Sequence, residues 1–126
     1  MLEGLATWQK LNVTAFLATG IAGAAPKAMG EPYEDADGHR FARLFGQPMM
    51  IYAVSAPDLA RAHRQAIERG LVSAVYVRAM FSTGHDDANR AAFLAEPAGV
   101  PDLVGLALRR PKRDVDKAIK GAKLHP

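Results

Sequence analysis

The chain has 126 residues, 49% hydrophobic and 23% charged. That length and composition fit one globular domain with its own hydrophobic core. No cysteine is present, which excludes disulfides and thiolate chemistry and makes a cytoplasmic setting the simplest expectation.

The most apolar stretch near the start, "VTAFLATGIAGAA", is too short to span a bilayer and has no basic flank before it. Neither a membrane span nor a signal peptide is expected. Residues 7–22 are expected to form a helix, with Trp8, Leu11, Ala15 and Ala18 as its apolar stripe, widened by Leu17 and Ile21. The glycines and proline of "GIAGAAPKAMG" should end it. Residues 31–43 read as two extended arms around the turn Asp35-Ala36-Asp37-Gly38, a β-hairpin insertion within a domain of residues 1–126.

"PMMIYAVS" and "LVSAVYV" are short apolar runs that suit strands. Between them Ser55 is placed to cap a helix, Asp58 supplies the capping-box spacing, and Gly70 supplies its end. Leu59, Ala62, Ala66 and Ile67 give that helix an apolar stripe. A strand, helix and strand of this length predict a right-handed crossover between parallel strands. "DDANRAAFLAE" predicts a short helix begun by Asp86 or Asp87 and halted by Pro97. "DLVGLALR" predicts a third strand with Gly105 admitting close backbone approach, and residues 112–121 a final helix.

The net charge is only +3, yet Arg109, Arg110, Lys112, Arg113, Lys117, Lys120 and Lys123 crowd the end of the chain. Such a run could draw phosphates, as in RNA or tRNA binding. A solvated terminal helix, with Asp114 and Asp116 interspersed, is the preferred reading.

"TWQKLNVTAFL", "GEPYEDADG", "MFSTGHDDANRAA" and the ending "LVGLALRRPKRDVDKAIKGAKLHP" resemble an uncharacterised bacterial family, the domain of unknown function DUF-2000. The resemblance covers nearly the whole chain. It implies the fold of the related type II peptidyl-tRNA hydrolases, an α/β domain with a mixed β-sheet flanked by helices. Those hydrolases begin their first helix with roughly "GKGKIAAQ". Here Lys10 stands at the first lysine, Asn12 replaces the second, and Phe16 takes the glutamine position. In their later loop Ala79 stands at an aspartate position, while Thr83 keeps a threonine. Losing a carboxylate and an amide argues against ordinary peptidyl-tRNA hydrolysis. The related fold also opens with a strand, whereas only "MLEGL" precedes the first helix here. Either the first strand is missing or truncated, leaving an unpaired slot that invites a second molecule, or another segment fills the gap.

The candidate site therefore joins the start of the first helix to the loop "STGHDD". Lys10, His85 and Thr83 are the candidate catalytic residues, and Asn12, Ser82 and Asp86 the candidate binding residues. Lys10 would hold an anion or carbonyl and His85 would serve as acid or base. Trp8 could stack on an aromatic ligand, but anchoring its helix to the sheet is the expected role.

Asp35 and Asp37 open like a calcium loop without its further ligands, and Asp86 and Asp87 diverge on a helix, so no metal site is expected. No cofactor is expected either. The functional expectation is a divergent hydrolase or a binding protein for an unidentified small molecule or nucleotide. The alternative is a non-catalytic module that forms a homodimer or docks to a partner.

Overall fold

The computed structural model describes residues 1–109 and 121–125. The elements are α1 (Thr7–Ala24), β1 (Met29–Glu34), β2 (Arg40–Phe45), β3 (Tyr52–Ala53), α2 (Ala56–Glu68), β4 (Val72–Val77), α3 (Asp86–Leu94), β5 (Leu103–Arg109) and β6 (Lys123–Leu124), with short 3-10 turns at Pro26–Ala28 and Arg78–Ser82. The expected helix over 112–121 and most of the basic run lie outside the described residues.

The described residues form a small mixed α/β domain with three helices and small antiparallel sheets. Its centre is the antiparallel pair β4–β5. Successive strand residues point to opposite faces, and here both faces are covered. Tyr76 packs with Val13 and Leu17 of α1, while Val77 and Leu103 pack with Leu59 of α2. Two covered faces explain why both strands read as nearly unbroken apolar runs.

The register slips once: Tyr76 pairs with Gly105 but Val77 with Leu103, leaving Val104 as the extra residue. The Val104 carbonyl is not wasted, since it accepts from the Leu2 backbone N–H at 2.9 Å. On the other side of this segment Glu3 donates to Val54 at 2.9 Å and Val54 to Met1 at 3.0 Å. Leu2 and Val54 make a parallel bridge. Residues 1–3 thus lie between the β3 region and β5.

The N-terminal ammonium donates to the Tyr52 carbonyl at 2.7 Å, and burial holds its pKa below the ordinary value. The expected strand over "PMMIYAVS" shrinks to Tyr52–Ala53, which pairs antiparallel with β6. Among the described residues β3 pairs with β6 and β4 with β5, so β3 and β4 are not neighbours. Residues 1–3 and β5 stand between them, a long-range insertion that no local spacing reveals.

α1 spans the expected residues, but its buried stripe is Val13, Leu17 and Ile21. Trp8, Leu11 and Ala15 are exposed. The helix is seated closely because Gly105 offers no side chain: a Cβ there would meet Val13 Cγ1 at 2.4 Å and Leu17 Cδ1 at 2.9 Å. Gly20 does the same from the helix side, where a Cβ would stand 2.7 Å from that of Ala74.

α2 begins at Ser55, whose hydroxyl accepts from the Asp58 N–H at 3.3 Å and donates to its carboxylate at 2.8 Å. Gly70, with φ 59°, ends the turn that follows. Leu59, Ala62 and Ala66 are buried as expected, whereas Ile67 is exposed.

The hairpin β1–β2 forms as predicted. Asp35 Oδ1 accepts from the backbone N–H groups of Asp37 (2.9 Å) and His39 (3.0 Å), and Gly38 takes φ 88°. These bonds, the one from His39 first, hold the Asp35 carboxyl below its usual pKa. Its oxygens therefore serve a turn. Among the described residues no three metal-ligating side chains come together, and no helix is long and apolar enough to cross a membrane.

Candidate functional site

A pocket of about 240 Å³ opens between the first half of α1, the end of β4 and the loop into α3. Asn12, Thr83, His85 and Asp86 line it, so four of the six expected site residues come together. Trp8, Phe16, Tyr76, Phe81 and Asn89 complete the walls, with Met80 and Gly84.

Lys10 is not among them. Neighbours two apart on an α-helix point about 200° away from each other, so Lys10 and Asn12 cannot wall one pocket. Lys10 Nζ lies 3.2 Å from His125 Nε2 of the C-terminal segment. Ser82 belongs to the 3-10 turn and is exposed outside the pocket. Lys10 and Ser82 therefore lie outside this pocket.

Residues four apart on a helix do share a face, and Trp8, Asn12 and Phe16 form that series. It lies beside the buried series Val13, Leu17 and Ile21, which seats α1 on the sheet. Trp8 is therefore not the anchor of its helix. It remains 59% exposed and meets Phe81 edge-on, with ring centres 5.4 Å apart. The aromatic wall continues from Phe81 to Tyr76 at 5.2 Å and from Tyr76 to Phe16 at 5.8 Å.

Tyr76 is 4% exposed, and burial pushes its phenol pKa up. Its hydroxyl donates to Asn12 Oδ1 at 3.0 Å. That bond fixes the Asn12 amide with its NH₂ free to donate.

His85 caps α3 in place of the expected Asp86 or Asp87. Its Nδ1 accepts from the Ala88 N–H at 3.2 Å. With Nδ1 an acceptor, the proton of the neutral ring sits on Nε2. Asp86 instead pairs with Arg90 one turn on, at 2.8 Å, on the exposed surface. The Thr83 hydroxyl lies against the Met80 carbonyl at 2.8 Å and also against Asn89 Oδ1. A hydroxyl has one proton, so it serves one of these oxygens at a time.

The site is thus an aromatic cleft with a polar edge that carries one carboxylate, Asp86. Asn12 and His85 present donors, and no lysine is among the described residues that line the cleft. The loop that carries His85 is braced from outside, where Arg78 pairs with Asp102 at 3.0 Å and the Asp102 N–H donates to Glu96 at 3.0 Å. A larger apolar cavity of about 960 Å³ lies between α1, α2, β5 and residues 45–54, and none of the expected site residues lines it.

The fold and cleft define a small mixed α/β protein with one aromatic, donor-lined pocket outside its main core. The chain belongs to the family described as protein of unknown function (DUF2000), whose sequence model matches residues 1–126. It is similar to a solved structure, the protein of unknown function Atu0240 from Agrobacterium tumefaciens strain C58. The two share 42% identity and a TM-score of 0.94, over 100% of this chain and 93% of that one. No curated protein matches the chain.

Proposed function

We propose that this protein binds a small, uncharged molecule in the pocket between α1 and the loop of residues 83–89, on a fold of the type II peptidyl-tRNA hydrolase kind. The observation that carries the reading is the pocket itself. It gathers Asn12, Thr83, His85 and Asp86 from two distant parts of the chain and surrounds them with four aromatic rings. The motifs that resemble the hydrolases place their active region at the same two chain segments.

Binding is favoured over hydrolysis by the state of the polar groups. A general base needs a free lone pair facing the substrate. His85 spends its lone pair on the Ala88 N–H. The Thr83 hydroxyl is held by the Met80 carbonyl, and no base is bonded to it as a nucleophile would require.

The test is to incubate the intact protein with a metabolite mixture, desalt it, and weigh what stays bound by native mass spectrometry. A retained small molecule, lost in Asn12→Ala and in His85→Ala, is the expected result. Retention unchanged in both variants would remove the pocket reading.

A second reading, an interaction module, is supported by the outer face of α1. Leu11 is 67% exposed beside Trp8, and Phe16 is 50% exposed.

A further inference from the structure

Resting on the binding reading above, we infer that the pocket is built for a planar aromatic or heteroaromatic ring with a carbonyl oxygen at its edge. Three features select that class: the shape of the walls, the direction of the polar groups and the sign of the nearby charge.

The walls are rings. Trp8 and Phe16 keep 59% and 50% of their surface open, and buried Tyr76 with Phe81 links them into one aromatic surface. Aromatic faces and edges complement another flat ring by stacked or edge-on contact better than they complement a puckered one. The volume of about 240 Å³ lies below the usual range for drug-sized ligands. A single substituted ring suits it, and a dinucleotide does not.

The polar edge donates. The Tyr76 hydroxyl occupies Asn12 Oδ1, leaving the Asn12 NH₂ free. The Ala88 N–H occupies His85 Nδ1, leaving Nε2–H. The Ala88 N–H takes the one lone pair of His85 Nδ1, and the Tyr76 bond fixes Asn12 Oδ1 on its own side. The hydrogens left to a ligand are those of the Asn12 NH₂ and His85 Nε2. The matching ligand group is an acceptor, a carbonyl oxygen.

The charge excludes an anion. Asp86 lines the pocket and pairs outward with Arg90. Lys10, the cation expected to compensate an anionic ligand, is directed to His125. A ligand carboxylate would meet Asp86, and no lysine or arginine is among the described residues that line the pocket. A ketone would accept from the Asn12 NH₂ and the His85 Nε2–H and would add no charge beside Asp86.

The experiment follows the Trp8 indole and the Asn12 side-chain amide in proton–nitrogen correlation spectra. Trp8 is the only tryptophan of the chain. The intact protein is titrated separately with acetophenone, cyclohexyl methyl ketone, aniline and benzoate. Acetophenone is expected to shift both signals saturably. Loss of the flat ring or of the carbonyl should weaken binding about tenfold, the size expected for one aromatic contact or one hydrogen bond.

Benzoate should bind only to Asp86→Asn. Tyr76→Phe releases the Asn12 amide to turn and offer its oxygen, so the preference for acetophenone over aniline should shrink. Saturable shifts of equal affinity from aniline or from the saturated ketone would overturn the aromatic-carbonyl class and leave the pocket a ligand site. No shift of either signal with any of the four compounds would overturn both.

Discussion

At the scale of single residues, function hangs on how each polar group is already engaged. His85 looks like a free imidazole in the sequence, and its helix-capping bond turns it into a donor. Asn12 is turned the same way by Tyr76.

His63 makes the clearest pH prediction. Burial first, and Arg64 second, hold its pKa below the ordinary 6.5. The unfolded chain therefore binds the proton more readily, and stability rises with pH through the window from the lowered value to 6.5. On acidification below 6.5 the native protein should lose melting temperature faster than His63→Gln does. Parallel melting-against-pH curves for the two proteins would show that His63 contributes nothing to that slope.

At the scale of elements, the seating of α1 on β4–β5 decides where the pocket lies. Gly105→Ala would drive a methyl into Val13, a branched side chain with no exposed surface. Such overpacking costs about 1–3 kcal/mol. Urea denaturation should show that loss, and Val13→Ala in the same chain should give back part of it. Two losses that simply add would mean the helix does not rest on this glycine.

The cap of α2 is independent of the pocket. Ser55→Ala removes the acceptor for the Asp58 N–H and should cost about 1 kcal/mol. In contrast to Gly105→Ala, it should leave the Trp8 signal unmoved, because Ser55 touches no pocket wall.

At the scale of the whole molecule, the two functional readings make opposite demands on the outer face of α1. A ligand pocket needs Trp8 and Phe16 open to solvent, whereas an interaction module needs them covered along with Leu11. Solution mass measured across dilution separates the two. A mass that stays monomeric supports the pocket reading. A dimer that Leu11→Glu dissociates, without loss of helicity, supports the interface.

Much of the fold is legible locally because it rests on local chemistry. The Asp35–Gly38 turn, the Ser55 cap and the reach of α1, α2 and α3 follow from side chains acting within a few residues of themselves. Part of the candidate pocket is legible too: Asn12, Thr83, His85 and Asp86 lie on the two segments that meet there. The step of four through Trp8, Asn12 and Phe16 was the available signal for the aromatic wall, and it also separates Lys10 from Asn12.

Tyr76, Phe81 and Asn89 had no such signal. Tyr76 joins the wall through ring contacts with Phe16 and Phe81, residues far from it or across a turn. The extra residue Val104 opposite the end of β4 is bonded by the Leu2 N–H. Periodicity records how a chain alternates along itself. It does not record which distant backbone will compete for its hydrogen bonds. Local preference thus determined the elements and their caps, while long-range pairing decided that residues 1–3 enter between β3 and β5 and that four aromatic rings enclose a donor-lined cleft.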